Sequence, residues 1–291
     1  MSQVKGEDEI SKGLVIKNNE TEDRYVWVEV PKTIYDTAQS EKDYENIEKD
    51  MQEYAKDYRA DNYSDNWYSG CGIENSTEYL NLKNRMLRSV YEKGGFWISQ
   101  YEIGADTIAT STGTSRTPRS KVDMYPYTYV TCAQAQQLST NMEANDLTSS
   151  LLFGIQWDLA CKFLEVKGTA TADINENSIN WGNYKENSFT IDSSKAKKLN
   201  GSSYETITGT KSGTILLTTG ASNKNKKMNI YDFAGNEWEL TLEHATTSSS
   251  IPCSNRGGGY GSNAPDRPLT FRSYIKATDT YDTLSFRPTL Y

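Results

Sequence analysis

Three short, rigid-looking segments in the last third of the chain limit the folds that it can adopt. They are NIYDFAGNEWELTLE (229–243), NRGGGYGS (255–262) and LSFRPTLY (284–291). Between the last two lies a run of Tyr, Ser, Asn, Asp, Thr and Phe that has neither helical nor alternating period. Such a sequence predicts a fold that is held at a few fixed points and is rich in loops between them.

Each segment contains residues whose type predicts a structural role. Gly235 can take a positive φ and Asn236 can bond its own backbone, so the pair predicts a tight turn into a strand. Trp238 is large enough to anchor a core built from short strands. The glycine run of the second segment lets backbone pass close to neighbouring structure, and its Arg256 can clamp a carboxylate or carbonyl oxygens. In the third segment Arg287 can tie down loop carbonyls.

Taken in order, these segments resemble the formylglycine-generating-enzyme-like branch of the C-type lectin fold. That family has Asn-x-Tyr-Asp-x-x-Gly-Asn-x-Trp-Glu, then Arg-Gly-Gly, then Gly/Ser-Phe-Arg. FWISQYEIG (96–104) looks like an earlier strand of the family, and GIQWDLACKF (154–163) matches the position of its second helix. The resemblance covers roughly residues 13–31 and 94–291 and implies a loop-rich α+β fold.

The pattern along the chain predicts one domain. Residues 1–12 are interpreted as an N-terminal leader and residues 13–291 as a C-type lectin-fold domain. Gly13 to Pro31 has two β-rich runs around a polar turn, which indicates a hairpin. Residues 32–93 are predicted to be a helical insertion, and 253–291 a variable ligand-binding region.

Helical periodicity is clear in four places. The first helix is predicted to start with a capping box at Ser40 and Asp43 and to bury a face made of Tyr44, Ile47, Met51, Tyr54 and Tyr58. The second is predicted over Thr77 to Tyr91, with Ser76 or Thr77 as its cap and Leu80, Leu82, Leu87 and Val90 as its apolar residues. Two more are predicted within 131–142 (Ala135, Leu138 and Met142 inward) and 155–166 (Trp157, Ala160, Cys161 and Leu164 inward). The run GTILLTT (213–219) is predicted to be a short strand.

Charge and cysteine content exclude several classes of protein. A net charge of −8 and a pI near 5.0 argue against nucleic acid or an anionic membrane as the main partner. No apolar run is long enough to span a bilayer, and the first residues lack the apolar core of a signal peptide. We therefore expect a protein that is cytoplasmic as synthesised, with the virion or cell surface as later locations. Four scattered cysteines without a CxxC make zinc binding unfavourable and leave free buried thiols or a disulfide as alternatives.

The residues argue against the catalytic chemistry of the resembled family. Its formylglycine-generating members use two cysteines shortly after Arg-Gly-Gly, where this chain has none; Cys253 precedes the motif. Its iron-dependent members need a histidine cluster, and His244 is the single histidine, interpreted as a solvated loop residue. We therefore predict no catalytic residues and no enzyme. A sulfatase-modifying or iron-dependent oxidoreductase, and an invariant structural phage or cell-surface protein, stay as alternatives.

The resemblance also implies a structural calcium ion. Carried over, its ligands would be the side chains of Asp232 and Glu239 and the backbone oxygens of Gly235 and Glu237. The alternative is that Glu239 faces solvent or caps a loop. No other cofactor is expected.

Within this branch the chain looks most like the variable proteins of diversity-generating retroelements, whose C-terminal codons are rewritten at adenines. Such rewriting of AAC-type codons cannot yield Glu, Gln, Met, Trp or Lys. Asn255 to Tyr291 contains none of these except Lys276. Tyrosine and phenylalanine give contact area at low entropic cost and small polar residues give adaptable hydrogen bonds, so the resemblance implies a surface that binds a protein or glycan on another surface. The predicted binding residues are Tyr260, Ser262, Asn263, Asp266, Phe271, Ser273, Tyr274, Ile275, Asp279, Tyr281 and Asp282. The alternative is that Phe271, Ile275 and some tyrosines belong to the core.

Overall fold

A computed structural model describes residues 1–142, 144 and 146–291 as short strands and helices joined by long loops. The helices are α1 (Tyr44–Tyr54), α2 (Ser76–Lys93), α3 (Cys132–Thr140), α4 (Gly154–Val166) and α5 (Thr171–Asn175). Single 3-10 turns lie at Ile10–Lys12, Lys32–Ile34, Lys56–Tyr58, Ser178–Asn180 and Asn223–Asn225. The strands of the described residues are β1 (Ser2–Gln3), β2 (Val15–Lys17), β3 (Arg24–Glu29), β4 (Tyr63–Ser64), β5 (Gly95–Ser99), β6 (Gly104–Ala105), β7 (Tyr125–Pro126), β8 (Ser149–Leu151), β9 (Phe189–Thr190), β10 (Lys197–Asn200), β11 (Ser203–Thr206), β12 (Thr210–Lys211), β13 (Lys226–Lys227), β14 (Ile230–Tyr231), β15 (Trp238–Ala245), β16 (Cys253–Arg256), β17 (Arg272–Ile275), β18 (Leu284–Phe286) and β19 (Pro288–Leu290).

A six-stranded sheet in the order β1-β2-β3-β5-β19-β8 joins the two ends of the sequence. The predicted hairpin is confirmed, because β2 and β3 pair antiparallel with Val15 opposite Val26. The residues interpreted as a leader extend this sheet, since β1 pairs with β2. The strand β19 lies between β5 and β8, so residues almost two hundred positions apart share one ladder.

A second, five-stranded sheet carries the segment after Arg-Gly-Gly. Its path is β17-β16-β15-β18, and β4 pairs with the far end of β15. Among the strands of the described residues, β17 is therefore at an edge and pairs with β16 alone. The predicted strand at 213–219 is wrong: in the described residues this run makes one isolated bridge, at Leu217, because the amide of Leu217 bonds the side chain of Asn236 instead of a ladder partner. The other sheets are the two-stranded pairs β10-β11, β12-β9, β13-β14 and β6-β7.

Helix α1 lies where its periodicity predicts but begins differently. Asp43 is the residue before the helix and its side chain makes no cap hydrogen bond, so the predicted capping box with Ser40 is wrong. The Asp43 carboxylate instead accepts from the backbone of Gln39 and the side chain of Asn46. Of the predicted face, Ile47, Met51 and Tyr58 are buried, whereas Tyr44 and Tyr54 are half-buried.

The predicted second helix exists as α2, but its cap residue and its buried face differ from the prediction. Asn75, not Ser76 or Thr77, caps it, because the Asn75 side chain accepts the amide hydrogen of Glu78 at 3.0 Å. The buried apolar face is Tyr79, Met86, Leu87 and Val90, while Leu82 is half-buried and Leu80 is 50% exposed. The reason is that Tyr79, at a spacing of seven from Met86, occupies the inner position that Leu80 was expected to fill.

The helical region 32–93 packs into the same hydrophobic core as the sheets. The Tyr79 hydroxyl donates to the carbonyl of Leu242 in β15 at 2.9 Å. The Asp65 carboxylate accepts the amide hydrogens of Gly154 and Ile155 at 2.6 and 2.9 Å, so it caps α4 from outside that helix. These contacts tie the region to the five-stranded sheet and to α4.

Helices α3 and α4 match their predicted ranges, and their predicted inward residues are buried. Trp157 and Trp181 are fully buried, whereas Trp238 is half-buried. The prediction that Trp238 anchors the core is therefore wrong, because its side chain alternates outward from the buried Glu239 and Glu237 on either side. No helix of the described residues is long and apolar enough to cross a membrane.

Candidate ligand-binding surface

Two glycine turns set the frame of the C-terminal region. Gly235 has a φ of 74°, which confirms the predicted positive φ, and Asn236 has a φ of 60°. The predicted bond of the Asn236 side chain to its own backbone is wrong, because this side chain bonds the distant Leu217, whose amide it accepts at 3.2 Å. Gly258 has φ of 76°, and a Cβ there would lie 2.6 Å from the carbonyl oxygen of Arg267. Both turns thus require glycine or asparagine and bring distant backbone into contact.

Buried arginines fix this frame from below. Arg256 donates to Asp158 at 3.0 Å and to Glu243 at 3.2 Å, which confirms its predicted role as a carboxylate clamp. Arg272, in the middle of the predicted variable segment, reaches the same two carboxylates at 2.7 and 2.8 Å, and its side chain is 7% exposed. The result is a closed four-membered ion network inside the protein.

Arg287 has the second predicted role. Its guanidinium donates to the carbonyl oxygens of Ser99 at 2.8 Å and Tyr231 at 2.9 Å, which confirms that it ties down backbone carbonyls. It also forms a forked ion pair with Glu239, with donor–acceptor distances from 2.5 to 3.0 Å. Arg287 therefore connects the sequence junction between β18 and β19 to three other segments.

All eleven predicted binding residues are accessible to solvent. Tyr274, Tyr281, Asp266 and Asp282 are exposed. The other seven are half-buried; they are Tyr260, Ser262, Asn263, Phe271, Ser273, Ile275 and Asp279. Of these, Ile275 packs against the core, as the alternative interpretation allowed. Side chains between them, such as Ala264 and Leu269, are buried.

Trp238 is a part of this surface that the sequence interpretation missed. Its ring lies edge-on to Phe271, with 5.9 Å between ring centroids, and the Arg267 guanidinium carbon lies 4.2 Å from the centroid of Phe271. A Cβ on Gly259 would contact the Trp238 ring at 3.0 Å. The turn at 257–259 and the start of β15 therefore present one aromatic patch.

The strand that carries Tyr274, β17, contacts the helical region 32–93. The hydroxyl of Tyr63 donates to the carbonyl of Arg272 at 3.4 Å. Burial, with Glu243 and Tyr274, raises the pKa of Tyr63 to about 12. The predicted binding surface therefore lies next to that region at β17.

The loop before β18 is fixed by hydrogen bonds. Asp279 accepts from the backbone amide of Lys276 at 3.1 Å and from the hydroxyl of Tyr281 at 3.3 Å. The carbonyl of Tyr281 accepts from the amide of Tyr129 at 3.0 Å. The charge of Asp279 raises the pKa of Tyr281. The loop therefore has accessible side chains although hydrogen bonds hold its backbone in place.

Of the four expected calcium ligands, the two side chains, those of Asp232 and Glu239, accept hydrogen bonds from protein donors. The Glu239 carboxylate is occupied by the Arg287 fork, so the prediction that it ligates an ion is not supported by its contacts, and it neither faces solvent nor caps a loop. Asp232 accepts from the amide of Gly220 at 2.6 Å. Burial raises the pKa of Glu239 to about 7. No group of three or more His, Cys, Asp or Glu side chains in the described part of the chain is arranged to hold a metal ion.

His244 and the thiol of Cys132 both contact Tyr68. His244 is half-buried in this strand and stacks on Tyr68 with 5.6 Å between centroids, so its interpretation as a solvated loop residue is wrong. The Tyr68 hydroxyl lies 2.9 Å from the sulfur of Cys132, and the structure brings Cys253 beside Cys132. The hydrogen bond with Cys253 and burial raise the pKa of Cys132. The four cysteines, namely Cys71, Cys132, Cys161 and Cys253, are free and buried.

The fold and the site define a mixed helix–sheet protein whose buried arginines and glycine turns hold an accessible aromatic and polar surface. No protein-family model matches the chain, and no curated protein matches it. Among solved structures, the chain shows partial similarity to Treponema denticola variable protein 1, with 19% sequence identity and a TM-score of 0.30. The match covers 50% of this chain and 49% of that protein. A similarity at this level is too low to define the fold or the activity.

Proposed function

We propose that this chain is a non-catalytic ligand-binding protein whose C-terminal surface recognises a protein or a glycan on another surface. We further propose that a retroelement diversifies this surface, and that the scaffold is a C-type lectin fold of the formylglycine-generating-enzyme-like branch. In this proposal residues 13–291 form the domain, 32–93 are inserted in it and 253–291 contain the variable positions.

The separation of accessible and buried residues within 253–291 carries the proposal. The eleven candidate side chains are exposed or half-buried, while Arg256, Arg272 and Arg287 hold the frame through buried ion pairs. Exchange of the candidate side chains, apart from Ile275, which packs against the core, therefore leaves these ion pairs in place. A held backbone also lowers the entropic cost of binding, because the loops need not be ordered by the ligand.

The scaffold part of the proposal has separate support. The three motifs that resemble the family meet at one place, where β15 pairs with β16 and β18 and Arg287 reaches Glu239. The strand β19 pairs with β5 and β8 and so lies inside the sheet that contains the first strands.

The non-catalytic part is supported by the state of the reactive groups. The thiols of Cys132 and Cys253 are adjacent, which is the one observation that favours an enzyme. Both are fully buried, and the pKa of Cys132 is raised, so the nucleophilic thiolate is disfavoured. His244 is stacked on Tyr68 and its Nδ1 lies 3.1 Å from the carbonyl oxygen of Ser64.

Two experiments test the proposal. Sequencing the neighbouring DNA is expected to find a near-copy of the 3′ coding end whose differences are confined to adenines; an invariant structural protein would have no such copy. The second replaces Phe271, Tyr274 and Tyr281 together by Ser. We expect this triple variant to change the free energy of unfolding by less than about 1.5 kcal/mol. The control Leu269→Ser, at a fully buried position, should cost about 2–5 kcal/mol. A triple variant that unfolds like the control would contradict a surface tolerant of exchange.

A further inference from the structure

A polar groove runs along helix α1, within the region 32–93. It consists of two cavities of about 410 and 430 Å³ that share three lining residues, namely Lys49, Gln52 and Arg59. We call it the α1 groove. The lining that the structure describes includes none of the eleven predicted binding residues, so the α1 groove is separate from the C-terminal surface.

Most charged side chains of this lining have partners inside the protein. In the first cavity, Arg272 pairs with Asp158 and Glu243, and none of these three side chains is more than 7% exposed. The Lys83 ammonium donates to the Glu48 carboxylate at 2.9 Å. The other lining carboxylates with protein donors are those of Asp50, Glu53 and Asp65. These charges are satisfied within the fold and do not require a ligand.

Four charged side chains of the lining lack such partners. In the part of the chain that the structure describes, the side chains of Lys49 and Arg59, in the wall common to both cavities, form no hydrogen bond or ion pair. The same holds for Glu45, which lines the first cavity alone, and for Asp36, which lines the second alone. All four residues are exposed to solvent. The α1 groove therefore presents two cations where its halves join and one carboxylate in each half.

The backbone that carries the two cations is held in place. The Tyr58 carbonyl accepts from the Arg272 guanidinium at 2.9 Å, which fixes the residue before Arg59. The buried Asp50, next to Lys49, accepts two backbone amide hydrogens at 3.0 and 2.9 Å from the segment before α1. A ligand in the α1 groove therefore need not order this backbone, which lowers the entropic cost of binding.

We propose that the α1 groove binds an extended segment of a protein partner in which an acidic residue lies between two basic residues. The acidic side chain pairs with Lys49 and Arg59, and the basic side chains pair with Glu45 and Asp36, so the charges of segment and groove are complementary. Concave walls focus the field of the two cations and favour an anion between them. The cube root of either cavity volume is about 7 Å, close to the distance between alternate residues of an extended chain, so one residue separates each basic residue from the acidic one. This goes beyond the proposed function, because it assigns a role to the region 32–93.

The test uses the full chain and a peptide of the proposed chemistry, acetyl-Lys-Ala-Glu-Ala-Lys-amide, with a fluorescent label of zero net charge. Fluorescence anisotropy at low ionic strength measures its dissociation constant. The matched probe is acetyl-Glu-Ala-Lys-Ala-Lys-amide, which has the same composition and net charge in a different order. Lys49→Gln/Arg59→Gln removes both central cations, and Lys42→Gln/Arg85→Gln makes the same charge change at exposed positions outside the α1 groove.

We expect the first peptide to bind saturably and the permuted peptide to bind more weakly. Lys49→Gln/Arg59→Gln should weaken the binding of the first peptide about threefold to thirtyfold, as expected for two exposed charge pairs, and the control variant should leave it unchanged. Equal affinity of the two peptides, equal affinity of the two double variants, or no saturable binding would each overturn the proposal. Displacement of the labelled peptide by sodium acetate as effectively as by unlabelled peptide would also overturn it, because the α1 groove would then be a site for any small anion.

Discussion

Replacing Arg287 by Leu tests whether buried ion pairs hold the binding surface. The guanidinium is fully buried and donates to Glu239 and to two backbone carbonyls, those of Ser99 and Tyr231. Removing one member of such a pair costs about 3–5 kcal/mol. The two carbonyls that lose their donor add to this, so we expect a loss of at least about 4 kcal/mol. That is a large part of the roughly 5–15 kcal/mol that stabilises an ordinary domain.

The raised pKa of Glu239 determines how the loss of stability in Arg287→Leu changes with pH. Burial raises the pKa of Glu239 to about 7 from 4.5, so the folded state holds a proton that the unfolded state has lost between these values. The contribution of Glu239 to the free energy of unfolding therefore falls as the pH rises from 4.5 to about 7. Without Arg287 the carboxylate loses its favourable charge, its pKa rises further, and the decline extends above pH 7. The penalty for Arg287→Leu should be larger at pH 8.5 than at pH 5.5.

Urea unfolding followed by tryptophan fluorescence at both pH values measures the penalty. Arg85→Leu, on the exposed face of α2, is the control and should change the free energy of unfolding by less than about 0.5 kcal/mol. Arg287→Leu/Glu239→Leu should recover part of the loss, because it removes the unpaired charge. A penalty below about 1 kcal/mol, or the same penalty at both pH values, would refute the reasoning.

Two further predictions concern the same region. Gly258→Ala should cost about 1–3 kcal/mol because of the positive φ and the nearby Arg267 carbonyl, whereas Gly261→Ala, which has room for a Cβ, should be nearly neutral; equal Tm values for the two variants would be inconsistent with this. Glu237 is buried, and its carboxylate has no hydrogen-bond partner among the described residues. Glu237→Leu should raise the free energy of unfolding by about 1–3 kcal/mol at pH 8 and by less at pH 5, because the raised pKa keeps the carboxyl neutral in acid. The reverse order of the two pH values in urea unfolding would contradict the assignment of an unpaired buried charge.

Periodicity and turn chemistry predict much of this fold. The 13–31 hairpin, α3, α4 and the Gly235-Asn236 turn follow from local pattern, because each is determined by residues close in sequence. The roles of Arg256 and Arg287 also follow, since a guanidinium beside glycine or in a last strand has few ways to be satisfied.

The failures come from tertiary contacts that the sequence does not show. The strand predicted at 213–219 does not form, because the amide of Leu217 donates to the side chain of Asn236 instead of to a strand partner. Trp238 is half-buried because the side chains on either side of it, Glu237 and Glu239, point into the interior. The sequence does not indicate this, because glutamates in a strand are expected to face solvent. The unpartnered Glu237 carboxylate was missed for the same reason, since glutamates are interpreted as solvated unless a partner is known.

The position of β19 has a consequence for synthesis of the protein. Thr289 bonds the carbonyl of Trp97, 192 residues earlier, and lies between two strands that leave the ribosome long before it does. The N-terminal strands must therefore wait, with an open hydrogen-bonding edge, until the final motif emerges. Pairing at such long range is slow, so nascent chains stalled before Pro288 should be captured by chaperones or aggregate.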